Sequence, residues 1–211
     1  MTNTDRNDAC PCGSEKEYKQ CCFKNTQADR VLGNKTDQSK LLSIALAHHQ
    51  TGNLLEAETI CLQALSLEPN DYNVLHLLGL LAIQNNKYEQ AIELLSRAIS
   101  INPTLYSAHF SLGNTYQAQG KLGQAICSYQ QSISLKPDFA EAYNNIGVAC
   151  KALGRLGNAL NYYNKAISLS PDFVEAHNNL GSVYKDMDKP QVATVCFHQA
   201  IFLKPEYAEE H

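Results

Sequence analysis

A repeat of 34 residues constrains this chain more than any other feature of its sequence. Four glycines, five prolines and five alanines recur at that interval. They are Gly79, Gly113, Gly147 and Gly181; Pro69, Pro103, Pro137, Pro171 and Pro205; and Ala57, Ala91, Ala125, Ala159 and Ala193. A register that starts at Gln38 gives five units, 38–71, 72–105, 106–139, 140–173 and 174–207. Because the three sets share one register, we predict a single repetitive architecture over these residues.

Each unit is predicted to form two helices. Apolar residues at positions 4, 7, 8 and 11, and then at 20, 21, 24, 27 and 28, follow the spacing of a helical face. Position 15 holds a residue suited to the left-handed backbone at a helix end, namely Gly52, Asn86, Gly120 or Gly154. The proline at position 32 ends the second helix because it has no amide hydrogen. Small residues at positions 8 and 20 predict that the two helices cross closely. One unit cannot bury its apolar face alone, so we expect the units to stack.

A cluster of cysteines near the start of the chain is the second informative feature. Cys10, Cys12, Cys21 and Cys22 lie within 13 residues, whereas the other four cysteines are scattered singly. Four thiolates with a tight pair at each end can form a tetrahedral cage for Zn²⁺. Disulfides are the less favoured interpretation because the polar first residues predict no secretion signal. An iron–sulfur cluster would be unusual with two adjacent cysteine ligands. We therefore predict a structural zinc site, joined to the repeats by a polar linker over 26–37.

Both parts of the chain resemble known families. Leu-Gly at positions 7 and 8, Tyr at 11, Ala at 20 and 27, an aromatic residue at 24 and Pro at 32 resemble the tetratricopeptide repeat (TPR). This resemblance implies an all-α, right-handed helical solenoid of five repeats over 38–207, with 208–211 as the start of an incomplete sixth. The segment CPCGSEKEYKQCC resembles the SEC-C motif and implies a small zinc-binding knuckle over 1–25. FAEAYNNIG and FVEAHNNLG are most similar to repeats of O-linked GlcNAc transferase.

Composition and motifs exclude several classes of function. Lys and Arg number 17 against 21 Asp and Glu, so the chain lacks the basic surface that nucleic acids attract. Its longest apolar run, 74–83, is about half as long as a bilayer requires. Cys61 and Cys150 fall at core positions and are expected to be buried thiols, and no nucleotide-binding or hydrolase motif is present. We therefore expect a cytoplasmic protein with no enzyme activity and no nucleic-acid or membrane partner.

The TPR resemblance also predicts a binding groove. In stacked repeats of this kind the first helices line the concave surface, with positions 2, 5, 6, 9, 12 and 13 toward a ligand. These positions are apolar in the first two units and rich in amides in the last two. Positions 2, 5 and 6 hold no Lys or Arg in any unit, which argues against a clamp for the C-terminal carboxylates of chaperones. The predicted groove residues are His76, Phe110, Asn114, Asn144, Asn145, Asn178, Asn179, Lys151 and Lys185.

The sequence thus predicts a scaffold that binds an extended peptide or a helix of a protein partner in the groove, with zinc as a structural cofactor. Asparagine can pair with any peptide backbone because an amide both donates and accepts hydrogen bonds. A second interpretation is that the paired asparagines only lie on the solvated side of a helix. An alternative function is the substrate-recruiting arm of a larger glycosyl-, sulfo- or methyltransferase. The last helix is apolar on more than one face, which predicts that the repeats continue or that the solenoid ends self-associate.

Overall fold

The computed structural model describes residues 38–205, and these residues form ten helices and no strand. The first helix, α1, covers residues 38–50. The helices that follow are α2 (Leu54–Leu67), α3 (Tyr72–Gln84), α4 (Tyr88–Ile101), α5 (Tyr106–Ala118), α6 (Leu122–Leu135), α7 (Ala140–Ala152), α8 (Leu156–Leu169), α9 (Val174–Asp186) and α10 (Pro190–Leu203). The zinc knuckle and linker predicted for 1–37, and the sixth repeat predicted from 208, lie outside the described residues.

The predicted pair of helices is present in all five repeats. The second helix of each repeat ends two residues before the proline at position 32; α8, for example, ends at Leu169 before Pro171. The residue at position 15 adopts the left-handed backbone, as Gly154 does with φ of 71°. In the fifth repeat this place is taken by Asp188, with φ of 56°, which the pattern of glycine and asparagine did not identify.

The end of α7 shows how the turn between two paired helices is built. The amide of Gly154 donates a hydrogen bond to the carbonyl oxygen of Lys151, and the amide of Arg155 donates to that of Cys150, both at 2.9 Å. This pair of bonds is the Schellman motif, which satisfies carbonyl groups that the end of a helix leaves without partners. The left-handed residue therefore reverses the chain at a fixed point, and this sets the register of the next helix.

The glycines at position 8 lie against the side chain at position 24 of the same repeat. A Cβ atom added to Gly113 would lie 2.5 Å from Cδ1 and Cε1 of Tyr129, and one added to Gly147 would lie 2.6 Å from Cε1 of Tyr163. Both tyrosines are fully buried. The sequence predicted a close crossing of two helices at positions 8 and 20. The structure shows that glycine at position 8 makes room for the side chain at position 24 of the partner helix, which is a buried ring in the third and fourth repeats.

The chain divides into two compact units, Met1–Val74 and Leu75–His211, with the boundary inside α3. In the described part of the first unit, the core consists of small side chains. They include Ala45, Ala57, Cys61 and Ala64. The core of the second unit contains larger side chains. They include Tyr129, Ile146, Tyr163, Leu180 and Val183.

The two cysteines predicted at core positions are buried. Burial raises the pKa of the Cys61 thiol to about 11, and the nearby charge of Glu58 acts in the same direction. Burial also raises the pKa of Cys150, partly offset by Arg155. Because only the thiolate is a good nucleophile, a raised pKa makes both groups unreactive near neutral pH. They act as small apolar side chains of the core.

Two histidines at position 4 connect neighbouring repeats. The Nε2 atom of His109 lies 3.1 Å from the carbonyl oxygen of Pro103, and that of His177 lies 3.0 Å from the carbonyl oxygen of Pro171. A carbonyl oxygen only accepts, so Nε2 carries the hydrogen in both rings. Each histidine thus joins the first helix of its repeat to the loop that ends the preceding repeat, which is a structural role.

Candidate functional site

Polar side chains connect the first helices of successive repeats along one face of the second unit. The amide of Asn145 in α7 donates to the oxygen of Asn114 in α5 at 3.0 Å, and that of Asn179 in α9 donates to the oxygen of Asn144 in α7 at 3.0 Å. These bonds hold α5, α7 and α9 side by side with the asparagines on a common face. We call positions 5, 6, 9 and 12 of α3, α5, α7 and α9 the groove face.

Four of the predicted groove residues form one hydrogen-bonded series, which we call the asparagine chain. It runs from Asn179 to Asn144, from Asn144 to Asn145 at 3.4 Å, and from Asn145 to Asn114. Asn179 donates to Asn144, Asn144 to Asn145 and Asn145 to Asn114, so the series ends on the Oδ1 atom of Asn114. Asn144 is only 7% exposed, while the other three are half-buried. The structure thus brings these predicted residues together in one ordered network.

A buried tyrosine that the sequence did not predict as a site residue also contacts this network. The hydroxyl of Tyr129, in α6, donates to Asn114 at 2.7 Å and lies 3.2 Å from the side-chain oxygen of Gln117. Burial raises the pKa of this phenol, and a hydrogen bond with Asn145 only partly offsets that, so the hydroxyl stays protonated. Position 24 is a core position in the repeat, and the sequence feature that sets Tyr129 apart from Tyr163 is the asparagine at position 9 of its own repeat.

The predicted lysines behave differently from each other. Lys151, at the end of α7, forms an ion pair with Asp186 of α9 at 3.3 Å and donates a hydrogen bond to Ser182. Lys185 is exposed, and Asn178 is half-buried; neither side chain bonds to another residue within 38–205. Lys151 is therefore used to join two helices, whereas Lys185 and Asn178 are available to a ligand.

The remaining predicted groove residues, His76 and Phe110, are partly used in packing. The Nε2 atom of His76 lies 3.1 Å from the hydroxyl of Ser111, and burial lowers the pKa of the imidazole, which favours the neutral ring. The ring of Phe110 packs against Phe139 and Tyr129, with centroid distances of 4.7 and 5.6 Å. Phe110 therefore belongs to an aromatic cluster within the third repeat, and its side chain is half-buried.

The apolar part of the predicted groove is smaller than the sequence indicates. Leu77 is only 2% exposed, and Leu80 and Ile83 are half-buried. In the first unit, Leu42 is half-buried and Leu46 is exposed. The sequence predicted apolar groove positions in the first two repeats, and Leu77 at position 6 does not contribute to that surface because its side chain is buried in the core.

Residues 38–205 contain neither a metal-binding cluster nor a membrane-spanning helix. No three His, Cys, Asp or Glu side chains in this range are grouped so that they could hold a metal ion. None of the helices described is both long and apolar enough to cross a bilayer. The predicted zinc ligands, Cys10, Cys12, Cys21 and Cys22, lie outside this range.

Comparison with protein families assigns nearly all of the repeat region. A family model described as TPR repeat matches residues 79–120, 114–154 and 149–188. Two models described as tetratricopeptide repeat match residues 60–93, and 41–71 with 174–207. A model of the SEC-C motif matches residues 6–24, within the segment that carries the four clustered cysteines. No curated protein sequence matches the chain.

Solved structures of TPR proteins are similar to this chain. A crystal structure of MamA is 25% identical in sequence and covers 79% of this chain and 97% of its own, with a TM-score of 0.71. MamA from Desulfovibrio magneticus RS-1 is 21% identical and covers 81% and 97%, with a TM-score of 0.72. YrrB, described as a TPR protein with an unusual peptide-binding site, is 18% identical and covers 87% and 97%, with a TM-score of 0.66. The last two similarities concern the fold alone.

Proposed function

Because the chain belongs to the tetratricopeptide repeat family, we propose that it is a protein-interaction scaffold whose groove face binds an extended peptide segment. The asparagine chain is the observation that carries this proposal. It places four carboxamides across α5, α7 and α9, on the helices that line the ligand groove in this family. The similarity in fold to YrrB, which is described as having a peptide-binding site, gives further support.

An extended peptide suits this face for a physical reason. Its backbone N–H and C=O groups have no partners within the strand, and a carboxamide can donate to one and accept from the other. Packed helices are spaced by about 8–10 Å, and an extended chain rises about 3.3 Å per residue. Each repeat therefore meets about three ligand residues. Contacts of this kind recognise the backbone, so the groove face tolerates many ligand sequences.

Two glutamates beside the asparagine chain argue against a ligand that presents its C-terminal carboxylate at that edge of the groove face. Glu141 and Glu175, at position 2 of α7 and α9, are exposed, and no basic residue occupies positions 2, 5 or 6 in any repeat. A C-terminal carboxylate would therefore meet like charge at one edge of the groove face. We infer that the ligand is an internal segment of a partner protein.

We propose that the cysteine-rich head carries structural zinc. Cys10, Cys12, Cys21 and Cys22 lie within the segment that matches the SEC-C motif. Four thiolates are a donor set that fits tetrahedral Zn²⁺ and leaves no open position for a substrate. A site of this kind stabilises a short segment that has too little apolar surface to fold alone. Reduced thiolates also agree with a cytoplasmic location.

We also propose that the ends of the repeat array take part in self-association. Leu55 of α2 is 73% exposed and Phe202 of α10 is 79% exposed. Terminal repeats need a polar outer face or a covering partner, and large exposed apolar side chains at both ends indicate a partner. Sedimentation velocity would then show a concentration-dependent mass, and replacing both residues with Ser would abolish that dependence.

Selection from a phage-displayed library of random 12-residue peptides tests the main proposal. We expect enriched peptides whose affinity falls about tenfold or more when Asn144 and Asn179 are both replaced with Ala. The matched control is the pair Asn161 and Asn164, which are exposed on α8 away from the groove face. Failure to enrich any peptide, or equal loss of affinity in the two double variants, would contradict a role for the asparagine chain.

A further inference from the structure

The oxygen of Asn114 has no remaining capacity to bind a ligand. It accepts a hydrogen bond from the hydroxyl of Tyr129 at 2.7 Å and a second from the amide of Asn145 at 3.0 Å. A carbonyl oxygen has two lone pairs, and these two donors occupy both. The amide nitrogen of Asn114, in contrast, makes no hydrogen bond to any described residue. This carboxamide therefore offers a ligand a donor and no acceptor.

The position of the Tyr129 hydroxyl is fixed by packing. Its ring lies on Gly113, where an added Cβ atom would approach to 2.5 Å, and it packs against Phe110 with a centroid distance of 5.6 Å. Since Gly113 directly precedes Asn114, the residue that makes room for the ring also places the hydroxyl beside the carboxamide. A fully buried tyrosine of α6 thus reaches the groove face through a gap left by glycine.

This arrangement is confined to one repeat. Tyr163 occupies the same position in the next repeat and lies on Gly147 in the same way, but position 9 there is Val148, which offers no acceptor. The fifth repeat has Phe197 at this position, which has no hydroxyl. The contact between Tyr129 and Asn114 is therefore not a general property of the repeat.

We propose that Tyr129 is a positioning residue for ligand binding. Its hydroxyl holds the oxygen of Asn114 inward and leaves the NH₂ group as a fixed donor, so a ligand must present a backbone carbonyl oxygen at α5. At the other end of the asparagine chain, the oxygen of Asn179 accepts no hydrogen bond from a described residue and offers an acceptor for a backbone N–H. This inference rests on the proposed peptide-binding function.

The two ends of the asparagine chain then impose different demands on a ligand. Asn114 in α5 and Asn179 in α9 lie two repeats apart. At about 8–10 Å per repeat the separation is about 16–20 Å, which an extended chain spans with about five or six residues. A backbone carbonyl is present at every residue, whereas proline lacks the N–H group. The ligand segment is therefore expected to tolerate proline beside Asn114 and to exclude it beside Asn179.

The test uses a peptide selected from the random 12-residue library and measures its dissociation constant by fluorescence anisotropy. Tyr129→Phe should weaken binding about three- to tenfold, because the carboxamide of Asn114 loses the contact that orients it. Tyr163→Phe is the matched control and should stay within about twofold of the wild type. Asn114→Asp keeps an acceptor for Tyr129 but removes the NH₂ donor, and it should weaken binding by at least as much as Tyr129→Phe.

A double-mutant cycle separates positioning from a general structural effect. If Tyr129 acts through Asn114, adding Tyr129→Phe to Asn114→Asp should cause no further loss of affinity. Additive losses, or equal affinities of Tyr129→Phe and the wild type, would overturn the inference while peptide binding itself stands. If no peptide is enriched, the proposed function fails, and the side-chain amide signals of Asn114 in ¹⁵N-correlated NMR spectra still decide the geometry. Those signals should shift in Tyr129→Phe and not in Tyr163→Phe, and unchanged signals would overturn it.

Discussion

Two glycines of the fourth repeat are expected to respond in opposite ways to the same substitution. A Cβ atom on Gly147 would lie 2.6, 2.8 and 2.9 Å from three ring atoms of Tyr163, which is fully buried. Overpacking of this kind costs about 1–3 kcal/mol, and the better helix propensity of alanine recovers about 1 kcal/mol. Gly157, near the start of α8, has no atom within 4 Å of its added Cβ. Alanine there should stabilise the protein by about 0.4–1 kcal/mol.

Urea unfolding followed by far-ultraviolet circular dichroism measures both effects. Gly147→Ala should unfold at a lower urea concentration than the wild type, by a difference that corresponds to up to about 2 kcal/mol, and Gly157→Ala at a higher one. An unfolding midpoint for Gly147→Ala at or above that of the wild type would refute the reasoning that glycine is needed to accommodate the ring.

The first repeat provides an independent check of the same reasoning. It has Ala45 at position 8 and Cys61 at position 24, and both are fully buried. Compared with the fourth repeat, the residue at position 8 is larger than glycine and the residue at position 24 is smaller than tyrosine. Tyr163→Cys should itself destabilise the fourth repeat, because it removes a buried ring. In that background, Gly147→Ala should lose most of its destabilising effect, since the ring it would contact is gone. An unchanged cost of Gly147→Ala would show that the clash lies elsewhere.

Three further predictions concern the turns, the buried histidine and the metal. Gly154→Ala should destabilise the protein by about 1 kcal/mol because φ is 71°, whereas Asp188→Gly should not destabilise it, since φ there is 56°; urea midpoints test both. Burial lowers the pKa of His76 below its usual value of about 6.5, so the unfolded state binds more protons and stability should fall as the pH drops below that value. Thermal midpoints between pH 7 and 5 should fall less in His76→Asn than in the wild type, and equal slopes would contradict this. Elemental analysis should find one Zn²⁺ per chain, and chelation should leave the helical signal of the repeats nearly intact; a large loss of helicity would show that head and repeats fold together.

The repeat register predicted the helices well because the signals that define them are local. The proline two residues after α8 and the left-handed Gly154 act within their own turn, so sequence spacing is enough to identify them. The contact between Gly147 and Tyr163 is different, since it depends on which side chain of the partner helix lies against position 8. The register indicated a small residue at position 8 without showing that the ring at position 24 lies against it.

The candidate site was predicted only in part for the same reason. The paired asparagines were identified from their positions, but their mutual bonds depend on the distance between repeats, which the sequence does not contain. Tyr129 and Tyr163 occupy equivalent positions. The residue at position 9 of the same repeat, Asn114 or Val148, decides which hydroxyl finds an acceptor on the groove face. Phe110 was assigned to the groove because its position faces inward, yet its ring packs against Phe139, the last residue of the same repeat.

For the peptide binding proposed above, the hydrogen bonds within the asparagine chain would limit how tightly a single peptide is held. The carboxamides of Asn144 and Asn145 are already paired when the groove face is empty, so an arriving backbone must exchange one bond for another. Such an exchange adds little net free energy, and attachment of one segment is expected to be weak and short-lived. Durable assembly would then require several copies or several segments acting at once, which multiplies modest affinities into avidity. A scaffold of this kind responds to the local density of its partners more than to the sequence of any one of them.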